Sequence, residues 1–200
     1  EAALEEYDQA LQVFIKFKKL DTKKGVMVLE KLADLNAELW YLDEALSKFA
    51  EAVRLYDGRG MLNTPEGIDL LKRTGNALMM DEQCAVAQER YEQALRMLEG
   101  NGELESSQAA ELLTSKGMAL AELGENGQAL LVFGRARAIL EKLGALRSED
   151  GASLLMNVGM ASMELGDLPQ AQANFKEAYA ILEAEGEMDT EMGVALLTNL

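Results

Sequence analysis

Ala171-Gln172-Ala173-Asn174-Phe175-Lys176-Glu177-Ala178 decides the fold of this chain, because its skeleton returns every 42 residues. That skeleton is Ala, an aromatic four residues on, and Ala three residues beyond. It also reads Ala3-Tyr7-Ala10, Ala45-Phe49-Ala52, Ala87-Tyr91-Ala94 and Ala129-Phe133-Ala136. Self-similarity at this period marks stacked units, each too small to bury its own apolar face. With Leu182, the residues Ala171, Phe175 and Ala178 fall on one helical stripe, so the motif belongs to a helix.

Other columns keep the same spacing. Gly60, Gly102, Gly144 and Gly186 stand where a helix ends and the next residue turns left-handed. Four positions later come Thr22, Thr64, Ser106, Ser148 and Thr190, residues whose side-chain oxygen caps a free amide of a helix start. Pro65 suits the first helical position, and Glu66, Glu149, Asp150 and Glu191 suit its positive end. Helices are therefore expected to start near 23, 65, 107, 149 and 191. Each carries Leu29, Leu71, Leu113, Leu155 or Leu197 in one column, and Ala33, Gly75, Gly117 and Gly159 four residues on. Gly inside a helix costs ~1 kcal/mol relative to Ala, so three in register predict a second helix packed too close for a Cβ. The turn from Asp81 to Val86 lacks the glycine found at Gly124 and Gly166, which predicts a longer or distorted helix end there.

Gly or Ala, then Ala twelve residues later, an aromatic four beyond and Ala three beyond that resembles the tetratricopeptide repeat (TPR), along the entire chain. The usual period of that family is 34 residues, and the longer unit here is similar to the kinesin light chain type. Its Leu-Asn-Asn-Leu-Ala stretch is echoed by Leu155-Met156-Asn157-Val158-Gly159 and Leu197-Thr198-Asn199-Leu200. The resemblance implies an all-α, helical-hairpin solenoid wound as a right-handed superhelix, with about nine complete helices and a truncated tenth. The expected organisation is a single array: 1–19 as the second helix of a first repeat, then repeats at 22–60, 64–102, 106–144 and 148–186, and the start of another at 190–200. The ends fall inside repeats, so the chain reads as a segment of a longer protein. Val194, Leu197 and Leu200, with Leu4 and Leu11, would then lack cover, and self-association through uncapped ends is expected.

Charge and composition restrict the function. Thirty-five acids face 19 bases, a net charge of −16, concentrated after residue 60. A nucleic-acid partner is disfavoured by that field. The chain has no histidine and one cysteine, Cys84. His-dependent catalysis, an intrachain disulfide and a thiolate metal cluster are excluded, and no catalytic residue, metal or cofactor is expected. Cys84 reads as a small structural hydrophobe. No apolar run approaches the length of a membrane span. An intracellular, cytoplasmic location is expected.

By resemblance, the first helix of each pair lines a concave groove. The candidate partner-binding residues are Lys72, Arg73, Asn76 and Met79, then Ser115 and Met118, then Met156, Asn157, Met160 and Met163, and finally Asn199. The groove is expected to be basic and polar near Lys72 and Arg73, where it could receive acidic side chains. Further along, methionine would give a polarizable apolar surface. The alternative is that several of these methionines pack between helices. The carboxylate clamp of one TPR subclass is not matched, since its third-repeat cations are missing. Trp40 is either a turn aromatic or an interface anchor. The function expected is a protein-interaction scaffold holding a partner peptide or helix in the groove. Two alternatives are a structural subunit docked permanently in a larger assembly, and a regulatory array attached to an enzyme domain outside this segment.

Overall fold

A computed structural model describes residues 2–199, with the side chains of 3–190 and 192–198. Among these residues there are ten α-helices and no strand: α1 (Ala2–Lys16), α2 (Lys23–Glu38), α3 (Leu42–Gly58), α4 (Pro65–Met80), α5 (Cys84–Asn101), α6 (Ser107–Glu122), α7 (Asn126–Leu143), α8 (Glu149–Glu164), α9 (Leu168–Glu185) and α10 (Glu191–Asn199). None is long and apolar enough to cross a membrane. The chain divides into two compact units, one up to Met97 and one from Leu98 onward.

The first helix of each pair begins where a hydroxyl residue can cap it. Oγ1 of Thr22 accepts from the Gly25 amide at 3.2 Å and donates to the Lys19 carbonyl at 2.7 Å. Thr64, Ser106, Ser148 and Thr190 repeat this two-way arrangement. One side chain thus ties the helix start to the loop before it and fixes where α2, α4, α6 and α8, each of 16 residues, begin. Gly25, Gly67, Gly151 and Gly193 form a further column at the same period. A Cβ at any of them would run into the backbone of Leu20, Leu62, Leu146 or Met188.

In the unit up to Met97, α2 and α3 pack as a hairpin with α1 and α4 against them. The core gathers Leu11, Leu29, Leu32, Ala33, Phe49 and Leu70, and Leu4 packs onto it. Leu11 is therefore buried rather than uncovered. In the second unit the hairpins are α6–α7 and α8–α9, with Leu155, Phe175, Ala178, Leu182 and Leu196 in one cluster. Val194 and Leu197 on α10 are exposed; Leu200 lies outside the described residues.

The glycine seam has the cause its register implied. A Cβ at Gly75, Gly117 or Gly159 would overlap the ring of Tyr91, Phe133 or Phe175 respectively. The three rings are fully buried. Helix backbone and aromatic face are in contact with no room for a side chain between them.

The turn after α4 corrects an expectation. The helix is neither longer nor distorted: Glu82 takes φ +58 in place of a glycine. Its amide bonds the Met79 carbonyl at 3.1 Å, and the Gln83 amide bonds that of Leu78 at 2.8 Å. Gly124 and Gly166, at φ +77 and +80, support the same pair of bonds. Trp40 holds this position after α2, with φ +61. The turn geometry is set by the helix packing on either side, and the residue present accepts the strain.

Candidate functional site

Residues projecting from the first helices line one cleft in each unit. In the unit up to Met97 a cleft of about 550 Å³ lies among α1, α2 and α4, lined by Ala3, Tyr7, Lys31, Asp34, Leu35, Glu38, Arg73, Asn76, Ala77 and Met80, among others. In the second unit a cleft of about 350 Å³ lies between α6 and α8, lined by Met118, Ala121, Glu122, Asn126, Phe133, Asn157, Met160, Ala161 and Glu164.

Arg73 departs from the expectation of a free cation. Its Nη1 donates to Asp34 at 2.9 Å and its Nε to Asp69 at 2.8 Å, and Nη2 is bound to Glu30. Burial alone would lower its pKa, but the bonds from Glu30 and Asp34 and the field of Asp69 outweigh it and fix the charge. Glu30 also accepts from the Tyr56 hydroxyl at 3.1 Å. Burial, then the Glu30 charge, push that phenol up to about 12. Lys72 lies 3.7 Å from Asp69. Around this cleft the four acids Glu30, Asp34, Glu38 and Asp69 meet the three bases Lys31, Lys72 and Arg73, so it is slightly acidic rather than basic. Receiving a partner carboxylate on Arg73 would require displacing one of its own.

Sequence reasoning missed Glu30 and Asp34 because their bonds to Arg73 span about one repeat. Asp34 was legible as a column mate of Asn76, one period upstream. Asn76 itself is exposed in the cleft, its Oδ1 accepting from the Tyr91 hydroxyl at 2.8 Å. Met79 is half-buried, and the cleft takes in Met80 beside it.

In the second unit three expected residues, Met118, Asn157 and Met160, line one cleft. Met118 and Met160 are exposed, as is Met163; Ser115 is half-buried. Met156 departs from the expectation. It is 7% exposed and belongs to a core cluster with Leu155, Phe175, Leu182 and, from α10, Leu196. The side chain of Asn199 lies outside the described residues. Asn157 is 9% exposed, and among the described residues no hydrogen bond engages its amide. No fully enclosed side-chain nitrogen or oxygen lacks a partner, so the Asn157 amide reaches the cleft.

Trp40 is 68% exposed at the α2–α3 turn, beside exposed Leu39 and Tyr41. Cys84 is half-buried at the start of α5.

Capped hairpins, a glycine–aromatic seam and clefts on the first-helix face define a TPR-type helical repeat, and the chain has that solenoid fold. No family model matches the chain, and no curated protein does. Among solved structures it is similar to BtubC (BKLC) from P. vanneervenii, with 21% identity and a TM-score of 0.79 over 98% of this chain and 80% of that one. It is also similar to the kinesin light chain-like TPR repeats of Podosopora anserina, with 16% identity and a TM-score of 0.81 over 92% and 87%. A third is aspartyl phosphate phosphatase F from Bacillus subtilis, with 16% identity and a TM-score of 0.74 over 98% of this chain but 52% of that one. At these identities the likeness is one of fold.

Proposed function

We propose that the chain is a protein-interaction scaffold that holds a partner peptide or helix against its first-helix face, principally in the α6–α8 cleft. The observation that carries this is Asn157. A primary amide offers two donors and an acceptor, and this one opens into a cleft with no partner from the protein. A peptide backbone supplies a complementary carbonyl and amide in one unit. The exposed Met118 and Met160 flank it, and thioether side chains adapt to apolar residues of varied shape. The α2–α4 cleft is the lesser candidate, because its cations already hold carboxylates.

The reading is of a binding protein and not of an enzyme. It is supported by the chemistry the clefts offer: amides, thioethers and paired charges, in a chain without histidine. This chain spans about half the length of the Bacillus subtilis phosphatase chain it resembles, and a second reading is a regulatory array within a longer protein.

The test is to select peptides from a display library on the wild-type chain and titrate them against variants. Asn157→Ala is expected to weaken binding about tenfold, the loss of roughly one hydrogen bond. Met118→Ser/Met160→Ser should weaken it further, with little dependence on salt. If both variants melt as wild type and bind as wild type, the α6–α8 cleft is not the site.

A further inference from the structure

The segment from Ile15 to Lys24 stands apart from everything else in this acidic chain. Between residues 16 and 24 it has Lys16, Lys18, Lys19, Lys23 and Lys24 against one acid, Asp21. All five lysines are exposed, and among the described residues none forms an ion pair. Arg59 adds a sixth cation, its guanidinium donating to the Asp21 carbonyl at 2.8 Å. Between the lysines, Phe17 is 62% exposed and Ile15 48%, and Lys16 Nζ lies 5.9 Å from the Phe17 ring centre.

The fold does not ask for these residues. Lys18 takes φ +53 at the position that Gly60, Gly102, Gly144 and Gly186 hold in the other repeats. Lys23 and Lys24 sit in the first turn of α2, at the positive end of the helix dipole, where Glu149 and Asp150 stand in α8. Ile15 replaces an acid found at Asp57, Glu99, Glu141 and Glu183. Left-handed Lys18 and the first-turn pair Lys23 and Lys24 are locally unfavourable, and with Ile15 and Phe17 they put positive charge and apolar side chains on one exposed segment.

We propose that this loop, Ile15–Lys24, is a docking surface for anionic lipid bilayers. Lysine clusters are drawn to the negative surface of such a bilayer, with about fivefold in affinity per lysine near it. Phe17 and Ile15 supply the apolar insertion that charge alone lacks, and lysine stems reach past them to the headgroups. Neither cleft described above includes a residue of this segment, and exposed Phe17 and Ile15 between the lysines suit a bilayer interface better than an acidic peptide. The overall charge of −16 does not forbid the contact, since at physiological salt acids beyond about 8 Å from the bilayer are largely screened. This surface is separate from the α6–α8 cleft, so the two readings stand or fall independently.

The experiment is sedimentation of the chain with vesicles of phosphatidylcholine alone and with about one-third phosphatidylserine. Binding is expected only to the second, and high salt should release it. Lys19→Glu/Lys23→Glu/Lys24→Glu should lower the partition at least about a hundredfold, since three lysines are lost and three acids gained. Its thermal midpoint should equal or exceed the wild type, since two of the new acids favour the α2 start; lost binding would then not reflect unfolding. Lys16→Ser/Lys19→Ser should also weaken binding, without reversing charge, and Phe17→Ser should weaken it several-fold with the salt dependence kept. The proposal is overturned if the chain binds neither vesicle, binds both alike, or binds as wild type in the triple variant. A preference for poly-glutamate or a single-stranded oligonucleotide over the anionic vesicles overturns it as well.

Discussion

The hydroxyl of Tyr91 on α5 donates a 2.8 Å hydrogen bond to Oδ1 of Asn76 on α4. In the second unit the seam aromatics are Phe133 and Phe175, and the residues in the Asn76 column are Met118 and Met160. A polar pair on one seam thus corresponds to an apolar pair on the next. One period upstream the corresponding residues are Phe49 and Asp34, and the Asp34 carboxylate accepts from Arg73.

Tyr91→Phe is expected to cost ~1 kcal/mol, because it removes one partly buried hydrogen bond. Asn76→Met on top of it should return much of the loss by rebuilding the combination used in α6–α7. Urea denaturation of both single variants and the double gives the coupling energy; strictly additive effects would mean the two residues do not act as a pair.

At the α8–α9 seam, Gly159→Leu should cost ~1–3 kcal/mol or more, since its side chain would have to displace the Phe175 ring. Phe175→Ala should cost ~3–5 kcal/mol through the cavity it leaves. Thermal melts showing either variant neutral would contradict the packing described.

Glu82 and Lys18 hold left-handed backbone where other repeats carry glycine. Glu82→Gly and Lys18→Gly are each expected to raise stability by up to ~1 kcal/mol, as the left-handed penalty for a residue with a Cβ exceeds the extra entropy glycine brings to the unfolded chain. A fall in the denaturation midpoint for both would show that the side chains contribute contacts outweighing the strain.

Tyr56 gives the fold an alkaline limit. Its phenol is held at about 12 by burial and by Glu30, above the ordinary value near 10. A raised folded-state pKa contributes stability that is complete below about pH 10 and is lost as pH rises toward 12. Tyr56→Phe should flatten the fall in stability over that window. Melts from pH 8 to 12 that show the same slope for both proteins would remove Tyr56 as its source.

Local chemistry settled much of this protein in advance. Helix starts are written in Thr22, Thr64, Ser106, Ser148 and Thr190 because a cap acts within three residues. Helix pairing is written in Gly75, Gly117 and Gly159, because a glycine in mid-helix is costly unless something presses on it. Interactions inside one turn, or repeated at a fixed period, leave a trace that reading along the chain recovers. Met156 and Met160 differ by one turn of α8, yet the first is core and the second is exposed. Arg73 reads as a free cation until α2 brings Glu30 and Asp34 onto it. The Asp81–Val86 turn reads as distorted until flanking helices hold Glu82 in the left-handed region. Each of these was decided by which helix packs against which face. That depends on contacts between residues a full repeat apart, and only the tertiary structure supplies them.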